Sequence, residues 1–139
     1  MRKIKFRAWD KEKKDWLPNF LISQDGLLRE LKSQQKDTSV LDWQHVVGDR
    51  IKLMQYTELK DKNGKEIYEG DVVQQIDDIE AERTMGEKTF EYEVVWLMGD
   101  GFNGYYIQTG KNPIHSVSLE AVKNLEIIGN IYENKELIK

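Results

Sequence analysis

Residues 53–73 read LMQYTELKDKNGKEIYEGDVV, and the alternation of apolar runs and turns in this stretch decides the fold. Leu53, Met54, Tyr56 and Leu59 form an apolar run with strand character. Residues 60–65, KDKNGK, are polar and carry Asn63-Gly64. That pair is the strongest short hairpin signal, because both residues tolerate a positive φ at little cost. Ile67 and Tyr68 resume the apolar pattern, Glu69-Gly70-Asp71 is a second turn, and Val72-Val73 opens a β-branched run.

Toward the N-terminus, Ile4, Phe6 and Ala8 alternate with Lys5, Arg7 and Trp9, the period of a half-buried strand. Residues 10–15 are charged and predict a turn, and residues 16–22 are apolar around Pro18, which suits an edge or irregular strand. Gln24-Asp25-Gly26 is a further turn signal. Over 27–36, Leu27, Leu28 and Leu31 lie at helical spacing, with Glu30, Lys32 and Gln34 toward water. This is the best helix candidate. About three turns need tertiary support to persist, so a strand is the alternative. Residues 40–47, with Trp43, read as a short strand.

Toward the C-terminus the β pattern runs to Ile76 and then breaks into an acidic segment, 77–88, which reads as an exposed loop. Phe90, Tyr92 and Val94 alternate with Glu91, Glu93 and Val95 ahead of Trp96, the clearest strand in the chain. Residues 98–101 make a turn, 102 and 105–108 a strand, and 110–113 a break. SLEAVKN, 118–124, predicts one or two helical turns with Ser118 as N-cap. Residues 125–132 form a last strand with a bulge at Gly129, and 133–139 a frayed tail. The expected fold is mainly β (α+β). A small, bent, SH3-like β-barrel occupies 53–139, the C-terminal two-thirds, after a strand and short-helix subdomain over 1–52. The barrel comparison rests on Gly-Asp-Val-Val followed by a loop and a second strand, an analogy of fold that carries no function.

Three stretches, QYTELKDKNGKEIYEGDVV (55–73), the opening IKFRAWD (4–10) and the closing IIGNIYENKEL (127–137), together resemble the signature of the YopX family of phage and prophage proteins. Lying at the middle, start and end, they spread the resemblance over the whole chain. It implies a small, mostly β protein and brings no catalytic or ligand-binding residue to carry over. One position departs. Glu58 stands where the family usually has glycine before Leu-Lys-Asp, and a side chain there argues against a positive φ.

Composition narrows the chemistry. The 139 residues fit one domain or two small lobes. Without cysteine there is no disulfide, no thiolate metal site and no cysteine nucleophile. No apolar run approaches the roughly 20 residues of a membrane span. Met1 leads straight into a charged strand, so the expectation is a soluble, cytoplasmic protein with no membrane partner. A net charge of −4 argues against a protein that coats nucleic acid. The charge is uneven: residues 2–14 hold seven basic side chains, and residues 77–93 hold seven acidic ones.

His45 and His115 are the only imidazoles and lie in no metal-binding spacing. There is no GxSxG elbow and no glycine-rich phosphate loop. Asp77, Asp78, Glu80 and Glu82 lack the spacing of a calcium loop, so a solvated segment is the plainer reading. No cofactor and no catalytic residue is expected. Lys5, Arg7, Trp9 and Lys11 interleave charge with rings and are the candidate nucleic-acid or partner surface, against the plainer reading of a strand's wet side. The expected function is that of a non-enzymatic phage or prophage accessory protein. It would work through protein–protein contacts, with itself as a homo-oligomer or with a phage or host protein. The alternative is a nucleic-acid-binding small-barrel module using the same four residues.

Overall fold

A computed structural model describes residues 3–34, 41–46, 48–76, 89–99, 102–108, 117–119 and 123–137. The acidic segment 77–88, the break at 110–113 and His115 lie outside the described residues. The chain divides into two compact units, Phe6–Leu53, and Met54–Lys139 together with Met1–Lys5. Among the described residues no helix is long and apolar enough to cross a membrane.

In the smaller unit the alternating opening forms strand β1 (Phe6–Asp10), which turns into β2 (Asp15–Trp16). This turn has no glycine, and Asp10 organises it instead. Its Oδ1 accepts the N–H groups of Glu12 at 3.0 Å and Lys13 at 3.1 Å, and Lys14 takes φ 54°. Pro18 falls in the gap before β3 (Phe20–Ile22). Strands β3, β4 (Leu28–Gln34) and β5 (Leu41–His45) form an antiparallel sheet with β4 in the middle. Ala8, Val46 and Ile51 are its buried apolar cluster, with Leu17, Phe20 and Leu28 packed against them.

The helix expected over 27–36 is therefore a strand. Glu30 pairs with Phe20 on one side and Gln44 on the other. Helix preference differs by only a few tenths of a kcal/mol per residue, so two hydrogen-bonded neighbours override it. Glu30, expected to face water, is 2% exposed. Its Oε2 accepts from Arg50 Nη2 at 2.6 Å, while Arg50 Nε and Nη2 reach Asp10 Oδ2 at 3.2 and 3.0 Å. Burial alone would raise the Asp10 carboxyl. The N–H of Lys13, the Arg50 guanidinium and the N–H of Glu12 outweigh it and hold the group below its ordinary value.

Strand β6 (Ile51–Lys60) starts in the smaller unit and continues through 54–60 in the larger one. KDKNGK folds it back into β7 (Glu66–Tyr68). Asp61 Oδ1 accepts the N–H groups of Asn63 and Lys65, each at 2.9 Å, while Gly64 takes φ 81°. Oδ2 of the same carboxylate accepts the N–H of Ile127 at 3.2 Å. The Glu69-Gly70 turn follows, with Asp71 Oδ2 accepting the N–H of Tyr68 at 2.8 Å.

Strands β8 (Asp71–Ile76), β9 (Thr89–Gly99), β10 (Phe102–Gln108), β11 (Val117–Ser118) and β12 (Leu125–Asn130) complete the larger unit. They form one antiparallel sheet in the order β11-β10-β9-β8-β12, curled as a half-barrel. Ile67, Val73, Val94, Ile107, Leu119 and Leu125 form the core of this unit. The chain is mainly β, and no α-helix occurs among the described residues.

Three local expectations meet different outcomes. The β12–β8 register shifts between Ile127 and Gly129, the bulge expected there. Ser118, expected as a helix N-cap, ends strand β11, Leu119 after it is in a 3-10 turn, and residues 120–122 lie outside the described residues. The tail expected to fray is tied as far as Leu137. Asn130 Oδ1 accepts the N–H groups of Tyr132 and Glu133 at 3.0 and 2.9 Å, and a 3-10 turn over Lys135–Leu137 closes on Asn134.

Candidate binding cleft on the larger unit

The four interleaved residues of the opening are each engaged within the chain. Lys5 Nζ pairs with Glu66 Oε1 at 2.5 Å and lies 5.5 Å from the centre of the Tyr56 ring. The Arg7 guanidinium sits 4.8 Å over the Trp16 ring. Trp9 is 6% exposed and meets Trp16 edge to face, centroids 5.1 Å apart. Lys11 Nζ pairs with Asp49 Oδ2 at 2.6 Å. Hydrogen bonds from Lys11 and Lys52 hold the Asp49 carboxyl down to about 2. His45 is exposed on β5. Among the described residues no three His, Asp or Glu side chains are grouped to hold a metal ion.

A cleft of about 330 Å³ in the larger unit went unpredicted. It begins with the pairing of β9 and β10. Side chains alternate faces along a strand, so Val94, Trp96 and Met98 share one face of β9. Val94 is fully buried in the core, Trp96 is 42% exposed and Met98 is 81% exposed. The core face of β9 runs past the end of the core. On β10 the register sets Ile107 opposite Val94 and Tyr105 opposite Trp96. The Trp96 and Tyr105 rings meet edge to face, centroids 4.8 Å apart at 75°. Tyr105 also packs against the core, so this pair marks where the core ends and the cleft begins.

Strand β6 supplies more of the lining. From Tyr56↔Tyr68 to Lys60↔Glu66, β6 advances four residues while β7 advances two. The excess makes a bulge at 57–59. Thr57 Oγ1 bridges it, donating to Ile67 O at 2.8 Å and accepting the N–H of Leu59 at 3.2 Å. Glu58, at the centre, takes φ 69°. The expectation that its side chain would exclude a positive φ is thus corrected. The bulge imposes the conformation, at a cost of about 1 kcal/mol. Glu58 Oε1 accepts the backbone N–H of Lys3 at 2.7 Å. Glu58 and Leu59 line the cleft with Trp96 and Tyr105, and Asn103 and Ser118 add an amide and a hydroxyl.

Two further acids of this unit, Glu69 and Glu93, are half-buried. Burial raises the Glu69 carboxyl, and burial together with the charge of Glu69 raises that of Glu93.

The family model for YopX protein matches residues 5–139. The chain belongs to the YopX family. This YopX-family chain is also similar to a solved structure, the crystal structure of protein EF1440 from Enterococcus faecalis. The two share 24% identity over 100% of both chains, with a TM-score of 0.58, a likeness of fold. No curated protein matches it.

The stretches that carried the family resemblance turn out to hold several of the turns of this YopX-family chain. Asp10, Asp61, Asp71 and Asn130 each accept backbone N–H groups at a chain reversal. At Gly129 a Cβ would sit 2.7 Å from Asn134 Cγ and 2.9 Å from Leu137 Cδ1, so no larger residue fits without displacement. These residues build the fold. Glu58, where the chain departs from the pattern, lines the cleft instead.

Proposed function

We propose that the chain is a non-enzymatic accessory protein of the phage or prophage kind. It acts through protein–protein contacts, self-association among them, and its working surface is the β9–β10 face beside the cleft. The observation that carries this reading is the exposure of Trp96 and Met98 on the strand face that buries Val94. Aromatic and methionine side chains are the types that interfaces favour over ordinary surface.

Light scattering coupled to size exclusion, at tens of micromolar chain, tests this. The wild type is expected to elute above the mass of one chain, and Met98→Glu to elute as a monomer with an unchanged melting temperature, because Met98 lies in solvent. A monomeric wild type that captures no partner in affinity purification overturns the proposal.

A further inference from the structure

We infer that Glu69 and Glu93 form an acid-closed latch that fastens the turn at 69–71 to strand β9. The geometry begins at Gly70, which is buried and takes φ 82°. Its N–H donates to Val94 O at 2.8 Å, and its carbonyl accepts the N–H of Ile131 at 2.9 Å. The N–H of Glu69, just before it, donates to Gln55 O at 2.9 Å. The turn therefore ties together β6, β9 and the residue that follows β12. Glu69 and Glu93 immediately precede the two partners of the Gly70–Val94 bond. That bond thus has a half-buried carboxyl beside each of its ends.

Other acids of this unit are matched within it. Lys5 pairs with Glu66 and Lys62 with Glu126, while Asp61 and Asp71 accept backbone N–H groups. Among the described residues, neither the Glu69 nor the Glu93 carboxylate forms an ion pair or a hydrogen bond. The groups around them carry no positive charge. Val72 of β8 and Gln108 of β10 lie opposite Glu93, and Gln74 and Tyr106 lie diagonally across from it. Glu91 shares its strand face and is exposed. Beside Glu69, the Tyr68 hydroxyl donates to Glu66, and Asp71 holds the Tyr68 N–H. Two ionised carboxylates here repel each other across the Gly70–Val94 bond, and a proton held by either relieves the repulsion. Burial raises the carboxyl of Glu69; burial and the charge of Glu69 raise that of Glu93. A raised carboxyl stabilises the fold below its ordinary value of 4.5 and gives up that contribution as pH climbs through the raised one. The latch is therefore closed in acid and slackens toward neutral pH. Because β9 runs on to Trp96 and Met98, it sets how firmly the strand beneath that exposed pair is held. It operates within a single chain, independent of any contact between copies.

The test is hydrogen exchange of the Gly70 amide in the full chain, followed by NMR at about pH 4.5 and about pH 7.5 and expressed as protection relative to an unstructured chain at the same pH. The Lys62 N–H, which donates to Leu125 O at 2.8 Å in the same unit, is the internal reference. In the wild type, Gly70 is expected to be about tenfold better protected at the lower pH, with no such rise at Lys62. Glu93→Gln removes the repulsion and is expected to shrink the difference. Glu69→Gln and Glu93→Gln together are expected to erase it, leaving Gly70 well protected at both values. Equal wild-type protection of Gly70 at the two values overturns the inference. So does a rise shared equally by Lys62, which marks a change in the whole unit, or a rise that survives undiminished in the glutamine variants.

Discussion

Glu58 and Gly129 are opposite solutions to one problem, the fit of a side chain to its backbone. At Glu58 a side chain sits where glycine would be unstrained. Glu58→Gly is expected to be more stable than Glu58→Ala by about 0.5–1 kcal/mol, or roughly 2–4 °C in a thermal melt, since both lose the side chain's partners and only glycine takes the positive φ without strain. At Gly129 the side chain of Asn134 occupies the space a Cβ would need. Gly129→Ala is expected to cost about 1–3 kcal/mol in urea unfolding. Arg50 is a third case. It answers two carboxylates, Asp10 and Glu30, that are almost fully buried. Arg50→Ala leaves both without that partner and is expected to cost about 3–5 kcal/mol by the same measurement.

Among the elements, β9 carries the clearest pH dependence. Glu93 lies opposite Val72 of β8 and Gln108 of β10, and its carboxyl is raised by burial and by Glu69. A carboxyl raised by folding binds its proton more readily in the folded chain. Its stabilising effect is present below the ordinary value of 4.5 and is lost as pH climbs through the raised one. Glu93→Gln should therefore melt above wild type at pH 7, with the difference closing near pH 4. Strands and turns of this kind were legible in the sequence wherever the signal is local: Asn63-Gly64, the alternation before Trp96, the bulge beside Gly129. Strand β4 was not, because its leucines satisfy a helical spacing and only the ladders to β3 and β5 decide between the two. The cleft was not legible either. It depends on the register that brings Tyr105 opposite Trp96 and on a bulge that turns Glu58 to positive φ, and both arise from pairing between strands.

At the scale of the whole chain, the uneven charge resolves in part into matched pairs within each unit. Lys11 meets Asp49 in the smaller unit; Lys5 meets Glu66 and Lys62 meets Glu126 in the larger. The basic opening is thereby partly neutralised from within, while Trp96 and Met98 of β9 stay exposed. Of the four tryptophans, Trp9, Trp16 and Trp43 belong to the smaller unit and Trp96 to the larger. That distribution makes a direct test available: the fluorine NMR spectrum of the chain labelled with 5-fluorotryptophan, recorded from low micromolar to several hundred micromolar. If β9 and β10 form the working surface, the Trp96 resonance shifts or broadens with concentration while that of buried Trp9 stays in place. A Trp96 resonance that holds still while the others move, or four resonances that all hold still, would contradict a contact surface at that strand.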